Sequence, residues 1–281
     1  MGSRGALKHS INENDSRMID RDRLEAIVRE AGRIAMAGWP GDGHRCEHWE
    51  KTPGSPVSVA DIEVDSFLKR ELGALLPSAG WLSEETVDSP ARQGHELVWL
   101  VDPIDGTRDF IAGRTGWAVS VALVNTRRPL IGLLHAPARS REAGGEFWYG
   151  EAGQGSRRNG IPLRASNRAS LAGARVPAKK LAPEDADLVL VDQPNSIALR
   201  MAMVAADEAD LLATLRWGYE WDIAAAGLIA REAGAAVTDA FGQPLNYNKH
   251  DPRAFGVMVT SSAIHDAAVE RLADRALRYS A

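Results

Sequence analysis

Cysteine is nearly missing from this 281-residue chain. Cys46 is its one thiol, so no intrachain disulfide can form and nothing marks an oxidising compartment. Aromatic residues are sparse at 6%, and no apolar run approaches the roughly 18 residues that cross a bilayer. The N-terminus lacks the apolar core of a secretion signal. Positive excess is lacking too: 33 Lys and Arg face 38 Asp and Glu, for a net charge of −5. That balance argues against binding a nucleic-acid polymer through a general positive field. What remains is a 44% hydrophobic chain, long enough to bury a sizeable core in one large domain or two modest ones. A soluble, cytoplasmic globular protein without a membrane partner is the expectation. The carboxylates then need an account.

Residues 1–18 are polar, mixed and aperiodic, and read as a mobile arm. From Asp22 a helical pattern sets Leu24, Ile27, Val28, Ala31 and Ile34 on one face, ending near Gly38-Trp39-Pro40. A second helix is expected over 60–76, with Pro77 as its stop. Strand-like runs follow at Leu97–Val101, Trp117–Val124, Leu130–His135 and Glu146–Tyr149. Glycines and basic residues at 150–160 suggest a boundary. Beyond it, Leu188–Val191 reads as a strand, 196–213 as a helix and Asp222–Gly234 as a helix ended by glycine. Strands at Ala236–Asp239 and Gly256–Thr260 precede a last helix from Ser262 to about Arg278. Strands cluster first and alternate with helices later. An α+β lobe over 19–154 and an α/β lobe over 155–281 are therefore predicted, rather than one barrel.

Some acids look organised. In Trp99-Leu-Val-Asp102-Pro-Ile-Asp105-Gly106-Thr107-Arg108-Asp109-Phe110 a buried-looking strand runs into two aspartates, then Gly-Thr and a short helix. Pro103 fixes the turn between the carboxylates, so both can point to one spot. Mg²⁺ takes oxygen ligands and keeps several waters, so a few carboxylates suffice. Gly106 and Thr107 would offer backbone N–H groups where a phosphate oxygen is favoured. The bland alternative, acids that only hydrogen-bond a turn, stands equally open on this segment alone. An EF-hand loop does not fit, because its acids alternate at positions 1, 3 and 5. Further acids lie at Glu84-Glu85 after Trp81-Leu82, at Asp61 where the second helix starts, and at Asp222 after Trp221. Each has an ordinary reading too: solvated charges for the glutamates, helix N-caps for the aspartates. Their conjunction favours a metal site. Asp65 and Asp109 read as surface charges.

Val57-Ser-Val-Ala-Asp61, Leu82-Ser-Glu84-Glu85, Trp99–Thr107 and Trp221-Asp222-Ile-Ala-Ala-Ala-Gly227 occur in an order that resembles the motifs of the inositol monophosphatase superfamily, over roughly 22–275. The resemblance implies a two-lobed αβαβα layered sandwich. It also implies an Mg²⁺-dependent, lithium-sensitive phosphomonoesterase with two or three metal ions, often a homodimer. By resemblance, Glu84, Asp102 and the Ile104 carbonyl hold one metal, and Asp102, Asp105 and Asp222 a second. Thr107 and Asp61, with Glu85 alongside, orient and deprotonate the attacking water. Gly106 and Thr107 bind the substrate phosphate. The 19–154 lobe would then carry most metal ligands, and the 155–281 lobe Asp222 and the substrate wall.

The ester itself is read from weaker signals. Arg108 and the Gly242–Lys249 segment are similar to the branch that hydrolyses 3′(2′),5′-bisphosphate nucleotides, such as 3′-phosphoadenosine 5′-phosphate. Arg108 or Lys249 would pair with a second phosphate, although an exposed cation on a loop is the commoner case. Ser196 is a third, weaker specificity candidate, although Asn195-Ser196-Ile197 departs from that branch's Gly-Ser-Ser, and Pro53 stands where many relatives have Asp. Leu215 occupies the position of a sugar-contacting glutamate in animal inositol monophosphatases, which disfavours inositol 1-phosphate. Histidinol phosphate and sugar phosphates stay open, as does an idle, ligand-binding or regulatory member of the family. His44-Arg-Cys46-Glu-His48 matches an inverted zinc-peptidase pattern, yet the glycines before it predict a loop rather than the required helix. Most of the eight tryptophans read as core.

Overall fold

A computed structural model describes residues 19–125, 128–141 and 144–280, and the expected arm at 1–18 lies outside them. Helix α1 (Arg21–Ala37) buries Leu24, Ile27, Val28 and Ala31, the stripe read from sequence. A hairpin of β1 (His48–Thr52) and β2 (Ser55–Ser58) then pairs antiparallel. It is absent from the sequence-based expectation because all five residues of β1 are exposed and carry no polarity alternation. The inverted zinc-peptidase pattern falls here, on a loop and the first residue of β1, as expected. Helix α2 (Val59–Leu75) follows, with Ser58 as its N-cap.

Strands β3 (Gly80–Ser83) and β4 (Leu97–Asp105) lead through the one-turn helix α3 (Thr107–Ile111) to β5 (Ala118–Asn125) and β6 (Pro129–Ala136). With β7 (Glu146–Glu151), β8 (Gly155–Arg158) and β9 (Ile161–Pro162) they form a seven-stranded sheet in sequence order. Only β3 and β4 run parallel; the remaining neighbours are antiparallel. Strand β7 pairs directly with β8, so the 154/155 division falls inside a hairpin and the sheet continues to Pro162.

Strands β10 (Arg175–Pro177) and β11 (Val189–Val191) form a small parallel pair. The helix expected at 196–213 is in fact two elements, helix α4 (Ile197–Ala205) and strand β12 (Leu211–Tyr219). Asp207 adopts a left-handed φ of 59° just past the helix, a conformation Asp tolerates, and the chain turns there. Helix α5 (Glu220–Glu232), β13 (Ala235–Thr238), β14 (Arg253–Ser261) and α6 (His265–Ser280) complete the chain, and β14 lies between β12 and β13.

Burial follows this layering. All nine residues of β4 are buried, because both faces of the large sheet are covered. Leu97, Trp99 and Val101 join α1 and α2 in one cluster, whereas Val98 and Leu100 pack with α4 and α5. Helix α4 is buried on every side, as an apolar helix between two sheets must be. Residues Leu212, Val237, Val257 and Val259 of the three-stranded sheet close that second core. Helix α6 covers the sheet's far face through Ala268 and Leu272. The result is an αβαβα sandwich. Five of the eight tryptophans (39, 99, 117, 148 and 221) are core, as expected for most of them, whereas Trp49 and Trp217 are 47% and 53% exposed. Among the described residues no helix is long and apolar enough to cross a membrane.

Candidate active site

Four segments converge where β4 leaves the large sheet. The first is the end of β3, whose register against β4 places Glu84 just beyond Ser83. The Glu84 N–H donates to the Val101 carbonyl at 3.2 Å. The second is the end of β4, where Asp102 Oδ1 accepts the Ile104 N–H at 3.0 Å and so folds the Asp-Pro-Ile turn. The third is the start of α5, where Asp222 Oδ2 accepts the Tyr219 N–H at 3.0 Å. One carboxylate oxygen from each of Glu84, Asp102 and Asp222 lies within 4.8 Å of the others, an oxygen-only cluster that could hold a metal ion.

The fourth segment is the start of α2. Asp61 sits in the first turn rather than at the N-cap: its Oδ2 accepts the Ser58 N–H at 2.8 Å and hydroxyl at 2.5 Å. Oδ1 accepts the Thr107 hydroxyl at 3.3 Å, and that hydroxyl also lies 3.0 Å from the Ile104 carbonyl. Gly106 opens α3 with φ at 97°, and a Cβ there would come 2.7 Å from the Gly116 carbonyl oxygen. Only glycine fits so tight a turn.

A cavity of about 180 Å³ opens at this convergence, and its walls include Glu84, Asp102, Ile104, Asp105, Thr107 and Asp222. Burial raises the Asp102 carboxyl well above its ordinary range, and repulsion from Glu84, Asp105 and Asp222 raises it further. Asp222 is raised by the same causes. Burial lifts Asp61 to about 6 and Glu85 to about 7, opposed by the Ser58 hydrogen bonds in one case and by Lys51 in the other. Raised acids on the cavity wall, Asp102 and Asp222, with Asp61 and Glu85 close behind it, amount to a local demand for positive charge.

The other residues singled out from sequence separate. Asp105 lines the cavity, but its Oδ2 accepts the Ser196 hydroxyl at 2.5 Å and the Ala198 N–H at 2.7 Å, tying β4 to α4. Ser196 is wholly buried and acts on Asp105, not on the cavity wall. Arg108 reaches the wall and donates to the Gly54 carbonyl of the β1–β2 turn. Lys249 is not on the wall: its Nζ pairs with the buried Glu220 at 3.1 Å. Asp65 and Asp109 are buried at 7% and 8% exposure, correcting their reading as surface charges. Asp65 accepts from Ser83 and Thr86, and Asp109 pairs with Arg114 and accepts the Asn195 N–H.

Two cations near the acid cluster escaped the sequence reading. Lys51 on β1 reaches Glu84 at 3.0 Å and Glu85 at 2.6 Å. Arg216 on β12 lines the cavity beside Asp222. Neither lies in a motif, and both strands were missed, so position gave no signal.

The sequence profile of the inositol monophosphatase family matches residues 20–276. The chain belongs to the inositol monophosphatase family. It is accordingly a phosphoric monoester hydrolase of that family. Its sequence is 31% identical to the 3′(2′),5′-bisphosphate nucleotidase CysQ of Escherichia coli K12, over 82% of this chain and 94% of that protein. It is 30% identical to a fructose-1,6-bisphosphatase/inositol-1-monophosphatase of Thermotoga maritima, over 89% and 95%. Among solved structures, a Thermotoga maritima IMPase superposes with a TM-score of 0.77 at 26% identity, covering 92% of this chain and 98% of that one. Members of the family fold as this chain does, and the layered sandwich expected from the motifs is the one observed.

Proposed function

We propose that the protein is an Mg²⁺-dependent phosphomonoesterase that hydrolyses a small phosphorylated metabolite, with 3′-phosphoadenosine 5′-phosphate as the favoured substrate. The convergence of Glu84, Asp102 and Asp222 carboxylates within 4.8 Å of one another, beside Thr107, carries the reading. These donors fit a hard dication: they are oxygens only, several are charged, and the Ile104 carbonyl shares their cavity. Glu84, Asp102 and the Ile104 carbonyl would hold one ion, and Asp102, Asp105 and Asp222 would hold a second, with two or three ions expected per site. When bound, Mg²⁺ supplies Lewis-acid charge at the phosphoryl group and lowers the pKa of water.

The chain's own groups do the rest. Gly106 and Thr107 seat the phosphate. The Thr107 hydroxyl orients the attacking water and passes its proton to Asp61, 3.3 Å away, with Glu85 alongside. The water oxygen bonds to phosphorus as the ester P–O bond breaks, and the departing alkoxide takes a proton from solvent. No covalent phospho-enzyme is required. Likeness to the CysQ nucleotidases supports a nucleotide, while the Thermotoga relative supports inositol 1-phosphate or a sugar phosphate as the second reading.

A panel of 3′-phosphoadenosine 5′-phosphate, inositol 1-phosphate, histidinol phosphate and fructose 1,6-bisphosphate with Mg²⁺ tests the choice. The highest kcat/KM is expected on the first. A clear preference for inositol 1-phosphate reverses it. The family's homodimer is part of the same proposal, and a monomer in sedimentation analysis removes that part.

A further inference from the structure

We propose that Arg216 is the selectivity residue of this site and holds a second phosphate on the leaving group, so that bisphosphorylated esters are preferred. This rests on the phosphomonoesterase reading and names the residue behind the bisphosphate preference proposed above. Strand β12 bulges against β14: Thr214 pairs with Val257 and Trp217 with Phe255, leaving Leu215 and Arg216 opposite Gly256. A bulge interrupts the two-residue alternation and re-aims a side chain. Gly256 is what permits it. Its φ is 67°, and a Cβ there would come 2.4 Å from the Thr214 carbonyl oxygen and 2.6 Å from the Ala240 methyl.

The two bulged residues part company. Leu215 packs beside Leu211 and Met258 in the apolar layer under α6. Arg216 lines the acid cavity with Asp222, and also an adjoining slot walled by Trp217 and Tyr219. What the strand shows to substrate is therefore a guanidinium, and leucine faces away.

Arg216 acts by its charge on Asp222 only at a distance. Among the described residues it has no hydrogen-bond or ion-pair partner. The other cations near the acids are occupied: Arg108 with the Gly54 carbonyl, Lys51 with Glu84 and Glu85, Lys249 with Glu220. A planar guanidinium matches phosphate in a two-pronged contact that an ammonium cannot make. The exposed rings beside it suit a planar base: Trp217 is 53% exposed and Tyr219 41%, with Tyr219 stacked on Trp221 at 4.4 Å. One anion at the acids and a second at Arg216 describe a nucleoside bisphosphate.

The test compares adenosine 3′,5′-bisphosphate with adenosine 3′-monophosphate, with Mg²⁺, in wild type, Arg216→Ala and Arg216→Lys. Wild type should favour the bisphosphate. Arg216→Ala should lower its kcat/KM by about 10- to 50-fold, mostly through KM, while the monophosphate changes less than about threefold. Arg216→Lys should recover only part of the loss. A wild type that favours the monophosphate overturns the inference, as does an equal fall on both esters or no fall on either. A wild type that releases phosphate from neither ester overturns the phosphomonoesterase reading beneath it.

Discussion

Asp65→Ala offers a sharp test of how the acid site is held. Asp65, on α2, accepts one hydrogen bond from the Ser83 hydroxyl and another from the Thr86 hydroxyl at 2.7 Å. The Trp81 indole donates to Thr86 at 3.2 Å, and the Glu85 N–H to the Ser83 oxygen at 3.4 Å. One buried carboxylate thus pins both ends of the segment that presents Glu84 and Glu85. Truncation removes two charge-assisted hydrogen bonds, each worth about 1.5–3 kcal/mol, and strands the Ser83 hydroxyl, which is 2% exposed. Thr86 is half-buried and regains a partner from water, so the expected loss is about 3–4 kcal/mol. That corresponds to a drop of roughly 10 °C in melting temperature for a chain of this size. Because Glu84 loses its support, the Mg²⁺ midpoint for phosphate release should also rise about tenfold. Thermal melts in EDTA and an Mg²⁺ titration of activity measure both effects, with Asp65→Asn falling between. A melting temperature within about 2 °C of wild type together with an unmoved Mg²⁺ midpoint refutes the reasoning.

Ser196 both caps α4, accepting the Leu199 N–H at 2.9 Å, and donates to Asp105 at 2.5 Å. Ser196→Ala should cost about 2–4 kcal/mol in urea unfolding and lower kcat, whereas a loss under about 0.5 kcal/mol would contradict the assigned role. His135 gives a pH prediction. Burial holds its imidazole down at about 4 against an ordinary 6.5, with the Arg29 charge pushing the same way. As pH falls from 6.5 towards 4 the unfolded chain takes up a proton that the fold refuses, so stability declines by up to about 3 kcal/mol. His135→Leu should flatten that part of the urea-unfolding profile, and parallel profiles for the two proteins would exclude the effect.

The acid cluster was readable because its members sit at ends of strongly patterned elements. Asp102 and Asp105 close β4 directly after its apolar run Leu97–Val101, and Asp61 and Asp222 lie in the first turns of helices. The layered fold followed from the motif resemblance more than from periodicity. Periodicity failed where burial is two-sided or absent: α4 and β12 merged into one apolar run, and the exposed β1 showed no pattern. The two cations near the acids were lost with those strands. Lys51 reaches the glutamates only because the hairpin folds over them, and Arg216 faces the cavity only because β12 bulges. Asp65 looked like a surface charge because its partners, Ser83 and Thr86, lie on a different element. Long-range pairing of polar side chains leaves no local trace in a sequence.

Phosphate release from a small phosphomonoester, with and without Mg²⁺, in wild type, Asp102→Asn and Asp222→Asn, tests the central claim most directly. Wild type should turn over only with Mg²⁺. Each variant should lose activity by about 10³-fold or more while remaining folded, since each loses a ligand charge that no neighbour replaces. Release that persists in EDTA, or survives in either variant at wild-type rates, contradicts the metal-centre account.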